Sequence, residues 1–137
     1  MKRLAIDTNA LIDLLEGGKT PPAAFSEYDE LLVSATVIGE YRAGLPDTQR
    51  GQTMFWKLRT FLDKASVKTV QIGDRTAELY AKVFQALRVQ GKPIPQNDMW
   101  IAASALEHGA DIATTDGHFR FIPLLTVIVT RSEQQHR

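Results

Sequence analysis

The 137-residue sequence has no cysteine, which excludes disulfides, thiolate metal sites and a cysteine nucleophile. It has no net charge either, since 16 Lys and Arg balance 16 Asp and Glu. A field that would draw the whole molecule onto nucleic acid or an anionic membrane is therefore missing. No apolar run approaches the roughly 18 residues of a membrane-spanning helix. Only Leu4-Ala5-Ile6 follow Lys2 and Arg3 before Asp7 interrupts, too few for the apolar region of a signal peptide. A soluble, cytoplasmic protein is expected. Internal repeats and low-complexity tracts are also absent. With 44% hydrophobic residues the chain reads as one globular domain over residues 1–130. A polar tail, expected to fray, follows at 131–137.

The charge that is present is unevenly spread. Residues 1–46 carry four Lys and Arg against seven Asp and Glu, a net of −3. Residues 47–95 carry nine against four, a net of +5, and residues 96–137 three against five, a net of −2. An acidic site beside a basic approach surface would give this pattern, and so would ordinary solvated helix faces.

Short apolar runs alternate with helical patterns. Leu4-Ala5-Ile6 ends at Asp7 and leads into a helix with Leu11, Leu14 and Leu15 on one side, capped by Asp7 or Thr8. Residues 17–22, Gly-Gly-Lys-Thr-Pro-Pro, read as a loop. Leu31-Leu32-Val33 is a second strand, and Ser34 caps a helix over residues 35–43 that Gly44-Leu45-Pro46 ends. A helix is expected at 48–63, a third strand at 67–72, and a long helix from Asp74 to about Val89 with a stripe of Ala77, Tyr80, Phe84 and Leu87. The stiff turn Gly91–Pro95 precedes a helix at 98–108. A fourth strand at 111–115, an Asp116-Gly117 turn and a fifth strand at 126–129 complete the chain. The pattern predicts an α/β fold, a doubly wound parallel sheet of about five strands with helices on both faces.

Ligands of open α/β sheets sit at the carboxyl ends of the strands, and two acids fall there: Asp7 after the first strand and Asp116 after the fourth. Asp98 has Ile101, Ala102 and Ala105 as helical neighbours, and Glu40 has Thr36, Val37, Ala43 and Gly44. Both charges are thereby set on apolar or small-residue faces. Each acid also has a plain structural reading. Asp7 is a good N-cap, Asp98 complements a helix dipole, Asp116-Gly117 is a common turn pair, and Glu40 suits a half-exposed helix face. If the four converge, two carboxylates 5 Å apart repel by roughly 3 kcal/mol at an effective dielectric of 20. Such a cluster needs protons or a cation. Oxygen-only donors suit Mg²⁺ or Mn²⁺ rather than zinc, and with them phosphoryl chemistry.

The strand-Asp7-Thr8-Asn9 start, Glu40, Asn97-Asp98 followed by Trp100-Ile101-Ala102-Ala103, and Thr114-Thr115-Asp116 before Phe119 together resemble the PIN-domain ribonucleases. Within them, the VapC-type toxins of bacterial toxin–antitoxin modules are the most similar group. The resemblance spans essentially the whole chain. It implies a small α/β domain that cleaves RNA with Mg²⁺ or Mn²⁺ through metal-activated water, with Asp7, Glu40, Asp98 and Asp116 as the metal-binding acids. Thr8, Asn9 and Thr115 would be their hydrogen-bonding neighbours. It further implies a homodimer held inactive by a cognate antitoxin lying across the groove. One place departs from the pattern: where many relatives carry another Asp two residues after Asp116, this chain has His118, which leaves the number of metal ions open.

Arg42 and Arg120 are candidates for RNA phosphate contacts. His108, His118 and His136 lack ligand spacing, and His118 reads as a surface histidine. Trp56 and Trp100 read as core or interface. Phe55, Trp56, Leu58 and Leu62 offer more apolar surface than one helix stripe needs, which suits a partner or dimer contact. Two other functions fit parts of the pattern. One is a catalytically weak PIN-like domain that only binds RNA or a partner. The other is a phosphatase with Asp7 as nucleophile, although Asn9 and Leu11 stand where such enzymes carry Asp and Thr or Val.

Overall fold

Leu4-Ala5-Ile6 forms the central strand of a five-stranded parallel sheet in a computed structural model, which describes residues 1–17 and 21–130. In chain order the elements are β1 (Arg3–Ile6), α1 (Thr8–Glu16), a 3₁₀ turn (Ala23–Glu27), β2 (Glu30–Ser34), α2 (Ala35–Ala43), α3 (Gln49–Leu62) and β3 (Val67–Val70). There follow α4 (Asp74–Gln90), α5 (Gln96–Glu107), β4 (Asp111–Thr114), a second 3₁₀ turn (Gly117–Phe121) and β5 (Val127–Val129). The strand order is β3-β2-β1-β4-β5, with every neighbouring pair parallel. This is the doubly wound sheet expected from the alternating pattern.

Consecutive residues of the inner strands, Leu4 to Ile6 and Ile112 to Thr114, are all buried. A parallel sheet covered on both faces requires this. Right-handed crossovers place α1, α2 and α3 over one face and α4 and α5 over the other. Correspondingly, α1 packs on α2 and α3, and α4 packs on α5. From β1 the chain first winds outward to β2 and β3, then returns to the other side of β1 as β4. The gap between the carboxyl ends of β1 and β4 is therefore the switch point of the sheet, where such folds place their ligands.

Local chemistry sets the helix starts. Asp7, not Thr8, caps α1: its side chain accepts from the Ala10 N–H at 2.8 Å. Ser34 caps α2 through the Val37 N–H, and Thr48 caps α3 through the Gly51 N–H. Helix α4 ends on Gly91 in the left-handed region, φ 66°, the usual place for glycine.

Several boundaries and faces differ from the sequence expectation. Strand β3 stops at Val70, and α5 starts at Gln96, directly after Pro95. The Asp116-Gly117 turn is the start of a 3₁₀ turn, and Ala23–Glu27 forms another in a stretch to which the sequence assigned no element. The stripe of α4 is rotated: Ala77 and Phe84 are exposed, while Thr76, Val83 and Leu87 are buried. The cause is polar. The Thr76 hydroxyl donates to Glu107 on α5 and accepts from the Gly73 N–H, so a threonine that apolar periodicity passes over faces the neighbouring helix. Leu58 is 1% exposed and belongs to the core rather than to a partner surface, whereas Trp56 is 66% exposed. The expected frayed tail and part of the loop at 17–22 lie outside the described residues.

One close approach fixes the entry to α3. A Cβ on Gly51 would lie 1.8 Å from the backbone oxygen of Pro46. Gly51→Ala is expected to lower stability by about 1–3 kcal/mol without altering the site chemistry, as read by urea denaturation.

Candidate active site

Parallel pairing of Ile6 with Ala113 carries Asp7 alongside Thr114, and the Asp7 N–H donates to the Ala113 carbonyl at 3.1 Å. Thr114 is completely buried, so its hydroxyl must find partners within the protein. It donates to Asp7 Oδ2 and accepts the Asp116 N–H at 3.0 Å. Asp116 in turn caps the second 3₁₀ turn, accepting the His118 N–H at 3.0 Å, and its Oδ2 lies 2.8 Å from His118 Nδ1. The other ring nitrogen, Nε2, is 2.9 Å from Asp98 Oδ2 in the first turn of α5.

The neighbouring residue, Asn97, donates to Glu40 Oε2 on α2, and Glu40 Oε1 accepts from the Thr8 hydroxyl at 2.6 Å. Thr8 follows Asp7. Hydrogen bonds, with the peptide links Asp7–Thr8 and Asn97–Asp98, thus close a ring at the switch point through Asp7, Thr8, Glu40, Asn97, Asp98, His118, Asp116 and Thr114. All four candidate acids sit on it.

The ring is electrically loaded. Asp7 is 5% exposed, and burial pushes its carboxyl pKa up. Hydrogen bonds from Thr114 and Ala10 oppose that rise, and the charge of Asp98 adds to it. Burial likewise raises Asp98. His118 opposes the rise, and the charges of Glu40 and Asp116 reinforce it. Desolvation is the leading cause at both carboxyls, with mutual repulsion a smaller contribution. The amino ends of α1 and α5 both open onto the ring and offset part of the negative charge.

Other candidates lie elsewhere or at its margin. Asn9 is exposed on α1, and Thr115, half-buried, stands next to the threonine that holds Asp7. The Arg42 guanidinium lies 5.0 Å over the Phe55 ring. Arg120 folds over Gly117, its Cζ 3.0 Å from where a Cβ on that glycine would stand. Trp100 stacks on Tyr80 between α5 and α4, at 4.1 Å between ring centroids. His108 closes α5 at its far end, and His136 lies outside the described residues.

Three members of the ring were not assigned from the sequence. His118, read as a surface histidine, is clamped between two carboxylates and stacked on the buried Phe119 at 4.9 Å. Asn97 carried a usable signal, a polar residue directly before a candidate acid, whereas Thr114 stands two residues before one and is not told from Thr115 by sequence.

The donor set suits a hard divalent cation by its chemistry: four carboxylates, two of them resisting ionisation, and one imidazole. As they stand, no group of three or more His, Asp or Glu among the described residues is arranged to hold a metal ion. Each carboxylate is instead engaged by protein hydrogen-bonding groups, so receiving an ion requires exchanging some of those contacts.

Comparison with known families places this doubly wound domain with acids gathered at its switch point. Residues 4–123 match the PIN domain, and the chain belongs to that family. It is 30% identical over 128 residues to Ribonuclease VapC4 of Mycobacterium tuberculosis, covering 93% of this chain and 97% of the relative. It is also 30% identical over 132 residues to Ribonuclease VapC of Rickettsia bellii, covering 91% and 94%. In fold it is similar to a chain of the VapBC2 structure from Rickettsia felis bound to a promoter DNA fragment, with a TM-score of 0.81 and 19% identity over 93% of this chain and 98% of that one.

The raised carboxyl pKa values have a signed consequence. For Asp7 and Asp98 the folded state holds its proton to higher pH than the unfolded state does. Their contribution is most favourable below the ordinary carboxyl range and is lost as pH rises through the folded values. Asp7→Asn and Asp98→Asn are therefore expected to raise Tm at neutral pH in EDTA, with the gain vanishing in acid below the unfolded carboxyl pKa. Thermal denaturation of the three proteins across pH measures it.

Proposed function

We propose that this protein is a metal-dependent endoribonuclease, the toxin of a toxin–antitoxin pair, which hydrolyses RNA phosphodiesters with Mg²⁺ or Mn²⁺. The observation that carries this reading is the closed ring at the sheet's switch point that holds four acids, with Asp7 buried and Asp98 half-buried within reach of its charge. The ribonuclease names of two relatives that span nearly the whole chain support the same reading.

A divalent ion bound there would supply a water nucleophile at neutral pH and charge stabilisation at the scissile phosphate. The protein groups do the rest. Asp7 and Asp98 supply the first carboxylate oxygens, from rigid positions at a helix cap and in a first helical turn. Glu40, fixed by Thr8 and Asn97, would help hold the ion or orient the nucleophile. Asp116 completes the site, and Thr114 holds both Asp7 and the backbone that carries Asp116. Asn9 and Thr115 are further neighbours of the acids. Arg42 and Arg120 are assigned to RNA phosphate.

A groove of about 570 Å³ runs between α1 and α3, lined by Leu14, Leu15, Trp56, Phe61, Lys57 and Lys64 among others. Its apolar floor and basic rim suit an amphipathic antitoxin segment with acidic side chains. A cytoplasmic homodimer completes the proposal; no described helix is long and apolar enough to cross a membrane.

Purified protein is expected to cleave RNA with Mn²⁺ and to stop in EDTA. Asp7→Asn or Asp98→Asn should lose at least about a hundredfold, more than the loss usual for residues that only support metal ligands. Cleavage that survives EDTA or either substitution rejects the mechanism, while wild-type inactivity with intact RNA binding supports a binding-only domain. Saturating metal is also expected to stabilise the fold, by about 2.7 kcal/mol at 100 times Kd. Melting curves unchanged by both ions contradict it.

A further inference from the structure

Two segments that meet beside the acid ring carry exposed cations and no acid. Residues 79–97 hold Lys82, Arg88 and Lys92, and residues 117–130 hold Arg120, with no Asp or Glu in either. All four cations are exposed. Side chains join the two segments. Gln90 at the end of α4 donates to the Phe121 carbonyl at 2.8 Å, and the Lys92 ammonium lies 4.8 Å from the centroid of the Phe121 ring. Phe121 is 38% exposed, whereas Phe119 in the same turn is fully buried and anchors it.

The backbone holds both residues in place. Gly91 ends α4 in the left-handed region, and the Lys92 N–H returns to the Leu87 carbonyl at 2.9 Å. This helix-end motif fixes the chain from which Lys92 projects, and Pro93 directly after it restricts that chain further. On the other side, the Ile122 N–H closes the 3₁₀ turn on the Phe119 carbonyl at 3.1 Å. The same turn starts at Asp116 and His118 of the ring. At about 2 Å per residue, Phe121 stands roughly 6 Å beyond His118. An apolar partner surface would satisfy the ring and leave the cations unmatched. A nucleic-acid strand satisfies both, since its bases offer flat faces to an aromatic ring and its phosphates offer charge to Lys and Arg.

Building on the ribonuclease reading above, we propose that Phe121 and Lys92 form a stacking platform for an unpaired base next to the scissile phosphate. The base stacks against the Phe121 ring, and Lys92, with Arg120 beside it, meets the backbone phosphates. The platform adds affinity and register without reading base identity, because every base presents a π face. It serves substrate binding and takes no part in the chemistry at the acids.

The full chain is titrated in EDTA with a fluorescein-labelled single-stranded RNA of mixed sequence and with an abasic strand of equal length, read by anisotropy. Phe121→Leu keeps the apolar bulk and removes the ring, Phe121→Tyr keeps the ring, and Lys92→Gln removes the charge. Wild type and Phe121→Tyr are expected to bind the base-bearing strand about tenfold tighter than the abasic one. Phe121→Leu should lose that preference. Lys92→Gln should keep it and reduce the steepness of log affinity against log salt by about 0.7. With Mn²⁺, Phe121→Leu should raise KM for cleavage of the mixed strand by about tenfold and leave kcat unchanged. Equal affinity of Phe121→Leu and wild type for the base-bearing strand, or an unchanged KM, overturns the platform and leaves the nuclease reading standing. Light scattering that shows self-association lost in Phe121→Leu, with RNA binding intact, gives the ring to a second copy and overturns it too. A salt dependence unchanged in Lys92→Gln overturns the assignment of Lys92. Folded wild type that neither binds nor cleaves RNA overturns both readings. Wild type that binds the two strands equally overturns the platform even where a variant does not fold.

Discussion

The site depends on one pairing, that of β1 with β4. These strands are far apart in the chain, and their parallel register sets Ile6 against Ala113, leaving Asp7 and Thr114 side by side at the carboxyl edge. The edge itself follows from handedness. Strands that run one way need helices that run back, so α1 and α2 start where β1 and β2 end, and α5, which leads into β4, must start at the same edge. The starts of α1 and α5, the second turn of α2 and the segment after β4 therefore deliver Asp7, Asp98, Glu40 and Asp116 to one place. A shift of β4 by one residue would turn Thr114 to the other face and cut Asp7 from its hydroxyl donor.

That geometry works against stability. Burying Asp7 and Asp98 among other acids raises their pKa values, mainly through lost hydration. The fold offsets part of the cost with the hydrogen-bond ring: Thr114 and Ala10 on Asp7, Thr8 and Asn97 on Glu40, and His118 between Asp98 and Asp116. The hydroxyl, amide and backbone donors are neutral, so they solvate the carboxylates without cancelling their charge. The residual negative field is what a divalent ion would neutralise. A stability deficit confined to a functional cleft is the usual signature of such a site.

Much of this was legible from residue order. The apolar runs at Leu4–Ile6 and Leu31–Val33 and the short Ile112-Ala113 step within 111–115 marked the inner strands, since both faces are covered and no alternation intervenes. The caps at Ser34 and Asp7 were readable because a polar residue precedes an apolar helical period. What escaped was polar packing between elements. Thr76 turns toward α5 because of Glu107, and no periodicity of apolar residues carries that information. His118 escaped for a related reason: its partners are 20 residues back and two residues back in sequence, and only folding reveals that α5 and the β4 loop meet. Thr114 and Thr115 are chemically equivalent in sequence. Which of them faces Asp7 is set by strand pleat and the register with β1.

The groove and the acid ring share α1, and that sharing sets what a partner must do. Asp7 caps the helix at one end, while Leu14 and Leu15 near the other end line the groove. Nine residues at about 1.5 Å each make α1 roughly 13 Å long. A segment seated on Leu14, Trp56 and Phe61 thus lies about one short helix from the carboxylates. It reaches them only by extending along or beyond α1, a span that four or five extended residues cover at about 3.3 Å each. Blocking the acids and gripping the groove are separable tasks for such a segment. The groove supplies apolar contact, and the ring attracts positive charge, so the end of a partner that crosses to the site must differ in chemistry from the part that docks. An apolar anchor followed within a few residues by a basic side chain satisfies both surfaces, whereas an acidic residue at the crossing end would meet the same repulsion that already burdens Asp7 and Asp98.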